Sequence, residues 1–472
     1  AYGGIAHAYA DSVPILVIPG GTVRGRINSN PDFDAVANYK GITKWSGQIN
    51  QTGRISEFLR RAHTFLRTGR GAPVLLEVPS DVAMEQIEAN PVTYTPVKSI
   101  KSSGDPADIK SVASRLIKAE RPVLYVGQGV LWAQASDELV RLAELLDAPV
   151  ATTNSGKSAF PENHELALGA AGNTVTKMAR HFVDNADVIF GVGVSFTTNL
   201  ASMGIPQGKT LIQTTVDAND LNKEHHLADA IIGDCKLVLR QLIEEIDAQT
   251  SGAGVEHADI RAEVASVRNE WLEEWMPLLT SDETPINPYR IIWDLMHTVD
   301  RDKTVVTHDS GHPRDQLIPF WESTVPRGYL GWGNSTQLGY SLGLVLGAKL
   351  AAPEKTFINF MGDAAIGMAG MDIETGVRLN IPVMTIVLNN QVLSGYPARY
   401  EAAVEKYGFT ELYGDYAAIA TALGAYGERI SDTAEIVPAI NRGLAEMDKG
   451  RPVLLEFMTS EENRLSRYPA AG

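Results

Sequence analysis

An aspartate and an asparagine 27 positions apart, Asp363 and Asn390, stand in the segment MGDAAIGMAGMDIETGVRLNIPVMTIVLNN, Met361 to Asn390. The apolar runs Thr356 to Met361 and Val383 to Leu388 read as buried strands, and Gly370 to Leu379 as a helix between them. A right-handed βαβ crossover brings both strand ends to the carboxyl edge of one sheet, where open α/β folds bind ligands. Asp363 and Asn390 are then expected to converge. Carboxylate and amide oxygens are hard ligands suited to magnesium, which keeps positions for water and for cofactor phosphates. Small Ala364 and Ala365 would let backbone N–H groups approach a diphosphate. The same residues are also explained by an Asp in a βα turn and an Asn pair closing a strand, so spacing alone leaves both readings open.

The elements that must position these residues follow from periodicity. AYGGIAHAYA reads as a helix running into a strand at Ile15 to Ile18, the middle of a folded unit. A helix at Ile55 to Leu66 and a strand at Pro73 to Val78 follow it, and the aperiodic Asn90 to Gly104 marks a linker. Asp105 and Pro106 then cap and open a helix. Strand-like Val123–Val126, Val150–Thr153, Val188–Val192 and Thr210–Thr215 alternate with helical segments up to Leu237–Ile246. After a connector with a charged helix around Arg261 to Trp275, the alternation resumes from Ile286 to a last strand at Val453–Phe457. Strands alternating with helices imply parallel sheets covered on both faces. The expectation is an α/β chain of three doubly wound domains: residues 1–90, 105–248 and 286–472.

Composition agrees with that plan. A length of 472 residues suggests roughly two to four domains. Acidic residues number 57 against 41 Lys plus Arg, a net charge of −16, which offers no electrostatic footprint for nucleic acid or an anionic membrane. Small-molecule substrates and other protein chains are the expected partners. No apolar run approaches the roughly 18 residues of a membrane helix. The single cysteine, Cys235, excludes an intrachain disulfide and fits a reducing, cytoplasmic setting, with Cys235 itself expected to be a packing residue.

Other motif matches fail on context. Gly339-Tyr340-Ser341-Leu342-Gly343 fits G-x-S-x-G, but no strand precedes it. His308 and His312 have i, i+4 spacing, yet Gly311 and Pro313 rule out a helix joining them at one zinc. Gly208-Lys209-Thr210 is an interrupted P-loop. Gly127-Gln128-Gly129 and Gly191-Val192-Gly193 each lack the third glycine of a dinucleotide fingerprint, and are expected to be tight turns.

The segment from Gly362 to Asn390 resembles the signature of thiamine-diphosphate-dependent enzymes, a Gly-Asp-Gly start followed after a fixed gap by an Asn pair, with Ala364 in place of the third glycine. GDAAIGMAGMDIET also resembles oxalyl-CoA decarboxylase and 2-hydroxyacyl-CoA lyase. AYADSVPILVIPG, RTGRGAPVLLEVPSDVAMEQ, TTNSGKSAFPENHELALG and GWGNSTQLGYSLGLVLGAKLAAP look like the acetolactate synthase and 2-oxo acid decarboxylase superfamily. The resemblance covers nearly the whole chain. It implies a partial pyrimidine-binding domain, a central Rossmann-like domain and a diphosphate-binding domain, with thiamine diphosphate and Mg2+ as cofactors. Asp363 and Asn390 would hold the metal through side chains, and Val392 through its backbone carbonyl. Gly362, Ala364, Ala365, Ser310 and Leu393 would adjoin the cofactor. Leu338 would be the apolar wedge that bends it, Thr336 would offer a carbonyl to the 4′-amino group, and His312 would belong to a loop near cofactor and substrate. A central-domain FAD occurs in some relatives, but no residue pattern here supports one.

The resemblance places the family's activating glutamate before the equivalent of Ala1, so the native chain is expected to be longer. A catalytically silent, cofactor-binding subunit is the alternative. Within the enzyme reading, the implied function is C–C bond lysis or carboligation on a 2-oxo acid, with an acyl-CoA lyase or decarboxylase as the competing reading. The implied active unit is a homodimer or homotetramer. Gln391 to Tyr400 is expected to line the substrate pocket, where Arg399 would either meet a substrate carboxylate or remain a solvated surface group.

Overall fold

The computed structural model describes residues 2–87, 94–199, 202–332, 334–335 and 337–470, and the chain divides into two compact units. The smaller comprises Ala1–Ser103 with Val216–Ala218 and Ile232–Asp234. Its sheet is built on the apolar strand Val74–Pro79 (β4), which pairs in parallel with Leu16–Val17 (β1), Gly20–Gly21 (β2) and Trp45–Gln48 (β3). The helix Ile55–Arg67 covers it, with Phe58, Leu59 and Ala62 packed toward Val74 and Leu76. Of the expected linker, residues 94–103 have neither helix nor strand, and 90–93 lie outside the described residues.

The larger unit contains two six-stranded sheets. The first runs β10-β9-β8-β5-β6-β7, where β5 is Pro122–Val126, β6 Val150–Thr152, β7 Ala167–Ala170, β8 Val188–Val192, β9 Thr210–Thr215 and β10 Asp229–Ile232. As the sequence predicts, Asp105 caps the helix Pro106–Lys118 by accepting the Ala107 N–H at 2.8 Å, with Pro106 in its first turn. Cys235 is buried as a packing residue.

The second sheet runs β12-β11-β13-β14-β16-β15 with every pairing parallel. Its strands are Thr304–His308 (β11), Tyr329–Leu330 (β12), Thr356–Gly362 (β13), Met384–Asn389 (β14), Tyr426–Ile430 (β15) and Val453–Met458 (β16). Strand order reverses between β11 and β13, and the carboxyl-end crevice at such a switch point is where open α/β sheets take ligands. Two expectations needed adjustment. A helix Asp363–Ala369 starts directly at the strand end, ahead of the expected one, of which the regular part is Ile373–Arg378. Unforeseen helices span His312–Phe320 and Glu401–Tyr407. As expected, His308 ends a strand and His312 starts a helix, so no helix joins the two.

The two sheets of this unit share one apolar core, crossed by a buried ion pair. Lys157 Nζ lies 2.5 and 2.6 Å from the Glu162 carboxylate oxygens, and the Ser323 N–H donates to Glu162 Oε2 at 2.7 Å. Ser158 donates to the Tyr329 carbonyl at 3.1 Å. Among the described residues no helix is long and apolar enough to cross a membrane.

Candidate active site at the carboxyl edge of the third sheet

Pairing of Gly362 with Leu388 carries β13 and β14 to the same edge and leaves Asp363 and Asn389–Gln391 side by side. Asp363 opens its helix from a position only 4% exposed. Its Oδ1 accepts the Ala364 N–H at 2.8 Å, and its Oδ2 accepts the Gln391 N–H at 2.7 Å. Burial pushes the Asp363 carboxyl above its ordinary range, and the N–H groups of Ala364, Gln391, Asp363 and Asn390 pull it partly back. Among the described residues no Lys, Arg or His forms an ion pair with it. A buried carboxylate without a cation is costly, so this position asks for one.

The oxygens available for that cation are hard. Asn390 Oδ1 accepts the Val392 N–H at 3.1 Å while its Nδ2 donates to Ser394 Oγ at 2.7 Å, so the amide is held with its oxygen toward Val392. Among the described residues the Val392 carbonyl accepts only the Ser394 N–H, at 2.9 Å, which leaves a lone pair for another partner. Between them Gln391 is left-handed at φ 61°. That strained turn aims its N–H at Asp363 and is fixed by the Leu412 N–H on the Gln391 carbonyl at 2.9 Å. Carboxylate, amide and carbonyl oxygens are a donor set for magnesium. Among the described residues there is no cluster of His, Cys, Asp and Glu suited to a softer metal.

The other expected residues arrive from neighbouring loops. A Cβ on Gly362 would lie 3.6 Å from Pro313, so the start of helix His312–Phe320 abuts this turn. His312 is mostly buried, which lowers its imidazole pKa, and His308 is wholly buried and pushed down to about 3. Both are therefore neutral at physiological pH. Ser310 is buried, with its N–H on Asp309 Oδ1 at 2.8 Å. Leu338 packs on the apolar cluster holding Ala365 and Ile366, and a Cβ on Gly339 would lie 2.9 Å from that of Ala369. Leu338 thus lies against the same helix that Asp363 opens. Ala364 turns its N–H to the Asp363 carboxylate. Leu393 is half-buried, Arg399 is exposed, and Thr336 lies outside the described residues.

Two acids that frame the site were not singled out by motif. Asp309 is completely buried and accepts the N–H groups of Ser310, Gly339 and Ser341 and the Ser341 hydroxyl, at 2.7 to 3.1 Å. It ties the end of β11 to the turn that follows Leu338. Glu456, equally buried in β16, holds the Asn389 side chain. Its signal is a lone charge within the apolar run VLLEFM. The central-domain glycines are tight packing: a Cβ on Gly127 would lie 2.3 Å from the Gly193 carbonyl oxygen.

Comparison with known proteins points to a thiamine-diphosphate family. The family profile "Thiamine pyrophosphate enzyme, central domain" matches residues 109–242, and "Thiamine pyrophosphate enzyme, C-terminal TPP binding domain" matches 309–457. The chain is 28% identical to a probable acetolactate synthase large subunit of Methanococcus aeolicus, over 99% of this chain and 80% of the relative. It is 28% identical to the acetolactate synthase isozyme 3 large subunit of Escherichia coli K12, over 96% of this chain and 80% of that one. Identity to the glyoxylate carboligase of Escherichia coli O157:H7 is 26%, over 97% and 80%. The crystal structure of benzoylformate decarboxylase from Polynucleobacter necessarius superposes with a TM-score of 0.78 at 21% identity, over 98% of this chain and 85% of that one, a likeness of fold.

Proposed function

We propose that this chain, which belongs to the thiamine-diphosphate-dependent enzyme family, is a magnesium-dependent C–C bond lyase or carboligase acting on a 2-oxo acid. The observation that carries the metal assignment is the buried Asp363 carboxylate, without a cation, beside the Asn390–Val392 turn. Asp363, Asn390 and the Val392 carbonyl hold the ion. When bound, thiamine diphosphate would supply a carbon nucleophile and an electron sink for C–C bond cleavage.

The chain's own residues do the rest. Gly362, Ala364 and Ala365 line the diphosphate, with Ser310, His312 and Leu393 around the cofactor. Leu338 would support a bent conformation of the cofactor, and Thr336, outside the described residues, would offer its carbonyl to the aminopyrimidine. Neutral His312 can accept or hold a proton near the substrate without bringing a fixed charge to it. Residues 1–90, 105–248 and 286–472 are read as pyrimidine-binding, central and diphosphate-binding domains, an assignment supported by the three parallel sheets and by the two family profiles. The active unit is a homodimer or homotetramer. The names acetolactate synthase and glyoxylate carboligase among the relatives favour a 2-oxo acid over an acyl-CoA thioester.

Calorimetry of the native chain with thiamine diphosphate, with and without chelator, tests the reading. Binding should require the divalent ion and disappear in Asp363→Ala. Retained affinity in that variant refutes the metal assignment. Turnover of 2-oxo acids with no measurable affinity for CoA is the expected substrate result, and the reverse pattern transfers the enzyme to the acyl-CoA class.

A further inference from the structure

Glu456 lies in the middle of β16 at 0% exposure, and a charged group so placed is kept only for the bonds it makes. Its Oε1 accepts from Asn389 Nδ2 at 2.7 Å and from an Arg429 Nη2 at 3.0 Å, and its Oε2 accepts the Ala417 N–H at 3.0 Å. Each contact leads to the same segment. Asn389, itself 2% exposed, uses its other amide atom, Oδ1, to accept the Gln391 N–H at 3.1 Å. That N–H is the one donated to Asp363 Oδ2 at 2.7 Å. At the far end, the Arg429 Nη2 that meets Glu456 also donates to the Gly414 carbonyl at 2.7 Å, and Asp415 caps the helix whose Ala417 N–H reaches Glu456. One carboxylate therefore fastens both ends of the segment 391–415.

The segment between these ends folds back over the site. Val392 bridges Glu411, the Leu393 N–H reaches the Thr410 carbonyl at 2.8 Å, and the Leu412 N–H reaches the Gln391 carbonyl at 2.9 Å. Gln391 at φ 61° is a conformation that an L residue adopts at a cost, and two side-chain acceptors share its N–H. Without Asn389 in place that turn has one fewer restraint, and Asn390 Oδ1 and the Val392 carbonyl are placed by that turn.

We propose that Glu456, braced by Arg429, is a positioning residue of the metal site, holding Asn389 so that the Gln391 turn presents Asn390 and Val392 to the ion. The proposal rests on the assignment of Asp363, Asn390 and Val392 to magnesium. Partners behind metal ligands set ligand geometry, and their loss typically lowers metal affinity about 10- to 100-fold. Glu456→Gln keeps the shape but puts an amide donor against donors, whichever way it is turned.

The experiment titrates magnesium chloride into the native chain with saturating thiamine diphosphate, following heat and intrinsic tryptophan fluorescence. Glu456→Gln should weaken magnesium about 10- to 100-fold. The double variant Asn389→Asp with Glu456→Gln restores the bond between the pair but leaves the introduced amide against Arg429, so it should recover part of the loss, which a general loosening of the fold would not do. Arg429→Met, at an exposed site, should give a smaller loss in the same direction and serves if the buried variant fails to fold. Magnesium affinity in a folded Glu456→Gln or Arg429→Met variant within twofold of the unaltered chain overturns the proposal, as does a double variant no better than the single. If the unaltered chain itself shows no magnesium-dependent binding, the metal assignment falls and takes the proposal with it.

Discussion

Replacing Lys157 by Met tests how the second and third sheets are joined. The ammonium is 1% exposed and its partner Glu162 6% exposed, with Nζ to oxygen distances of 2.5 and 2.6 Å. Removal leaves Glu162 with the Ser323 N–H at 2.7 Å as its remaining named donor. Breaking a buried pair from one side costs about 3–5 kcal/mol, because the surviving charge is buried without compensation. Burial already pushes the Glu162 carboxyl above its ordinary range against the opposing effect of Lys157. In Lys157→Met the upward push of burial is opposed only by the Ser323 N–H. A carboxyl whose folded pKa exceeds its unfolded one contributes stability that is present below the unfolded pKa and lost as pH rises through the folded value. The deficit of Lys157→Met relative to the unaltered chain should therefore grow from pH 5 to pH 8, by about 1.4 kcal/mol for each unit of added shift. Replacing both residues, Lys157→Met with Glu162→Leu, removes the orphan charge and should recover at least half of the loss. Urea denaturation across that pH range reads all three quantities. A deficit under about 1 kcal/mol, a deficit flat in pH, or a double variant equal to the sum of the singles refutes the argument.

Other consequences are equally specific. Asn390→Asp keeps an oxygen where Asn390→Ala removes it, so calorimetry should find magnesium binding retained in the first and weakened at least about tenfold in the second. Asp309→Ala strips the acceptor from four donors at the Ser310, Gly339 and Ser341 turns and should cost about 2–4 kcal/mol by denaturant titration, with a loss of cofactor affinity because Leu338 adjoins that turn. If exposed Arg399 anchors a substrate carboxylate, Arg399→Ala should raise KM about fivefold for 2-oxo acids with kcat little changed. An unchanged KM assigns Arg399 to the solvated surface.

Much of the fold was legible because its strands are short apolar runs bounded by Gly, Asp or Pro. Val188–Val192 and Thr210–Thr215 begin and end at the residues that periodicity picks out. The elements that escaped notice carry no such pattern. Ala167–Ala170 is short, with three of its four residues glycine or alanine, Tyr426–Ile430 is an edge strand with Gly, Glu and Arg, and His312–Phe320 opens on a proline and encloses another. Each is held by tertiary packing in place of local propensity. The site was legible to the same degree. The residues proposed to meet the ion were singled out by type, by spacing and by resemblance, whereas Asp309 and Glu456 act through hydrogen bonds to backbone and amide groups far away in sequence. A charge inside an otherwise apolar strand, as in VLLEFM, is the one trace such a residue leaves.

Asp363 supplies a last test, since its burial makes the metal-free site work against the fold. With a carboxyl pKa raised above the unfolded value near 3.9, its contribution is full below that value and is lost as pH rises through the folded one. At neutral pH the ionised group is then a net cost without a cation. Asp363→Asn removes the charge and keeps the Ala364 N–H bond, but sets an amide donor against the Gln391 N–H, a loss of about 1 kcal/mol. Its stability relative to the unaltered chain should therefore climb between pH 4 and pH 7. With magnesium and thiamine diphosphate at about 100 times their dissociation constants the order changes: the unaltered chain gains about 2.7 kcal/mol by linkage and the variant gains nothing. Thermal unfolding at several pH values, with and without the ligand pair, reads both curves. A difference that does not vary with pH would show that Asp363 carries no buried charge cost. Equal stabilisation of both proteins by the ligands would show that the ion does not rest on Asp363.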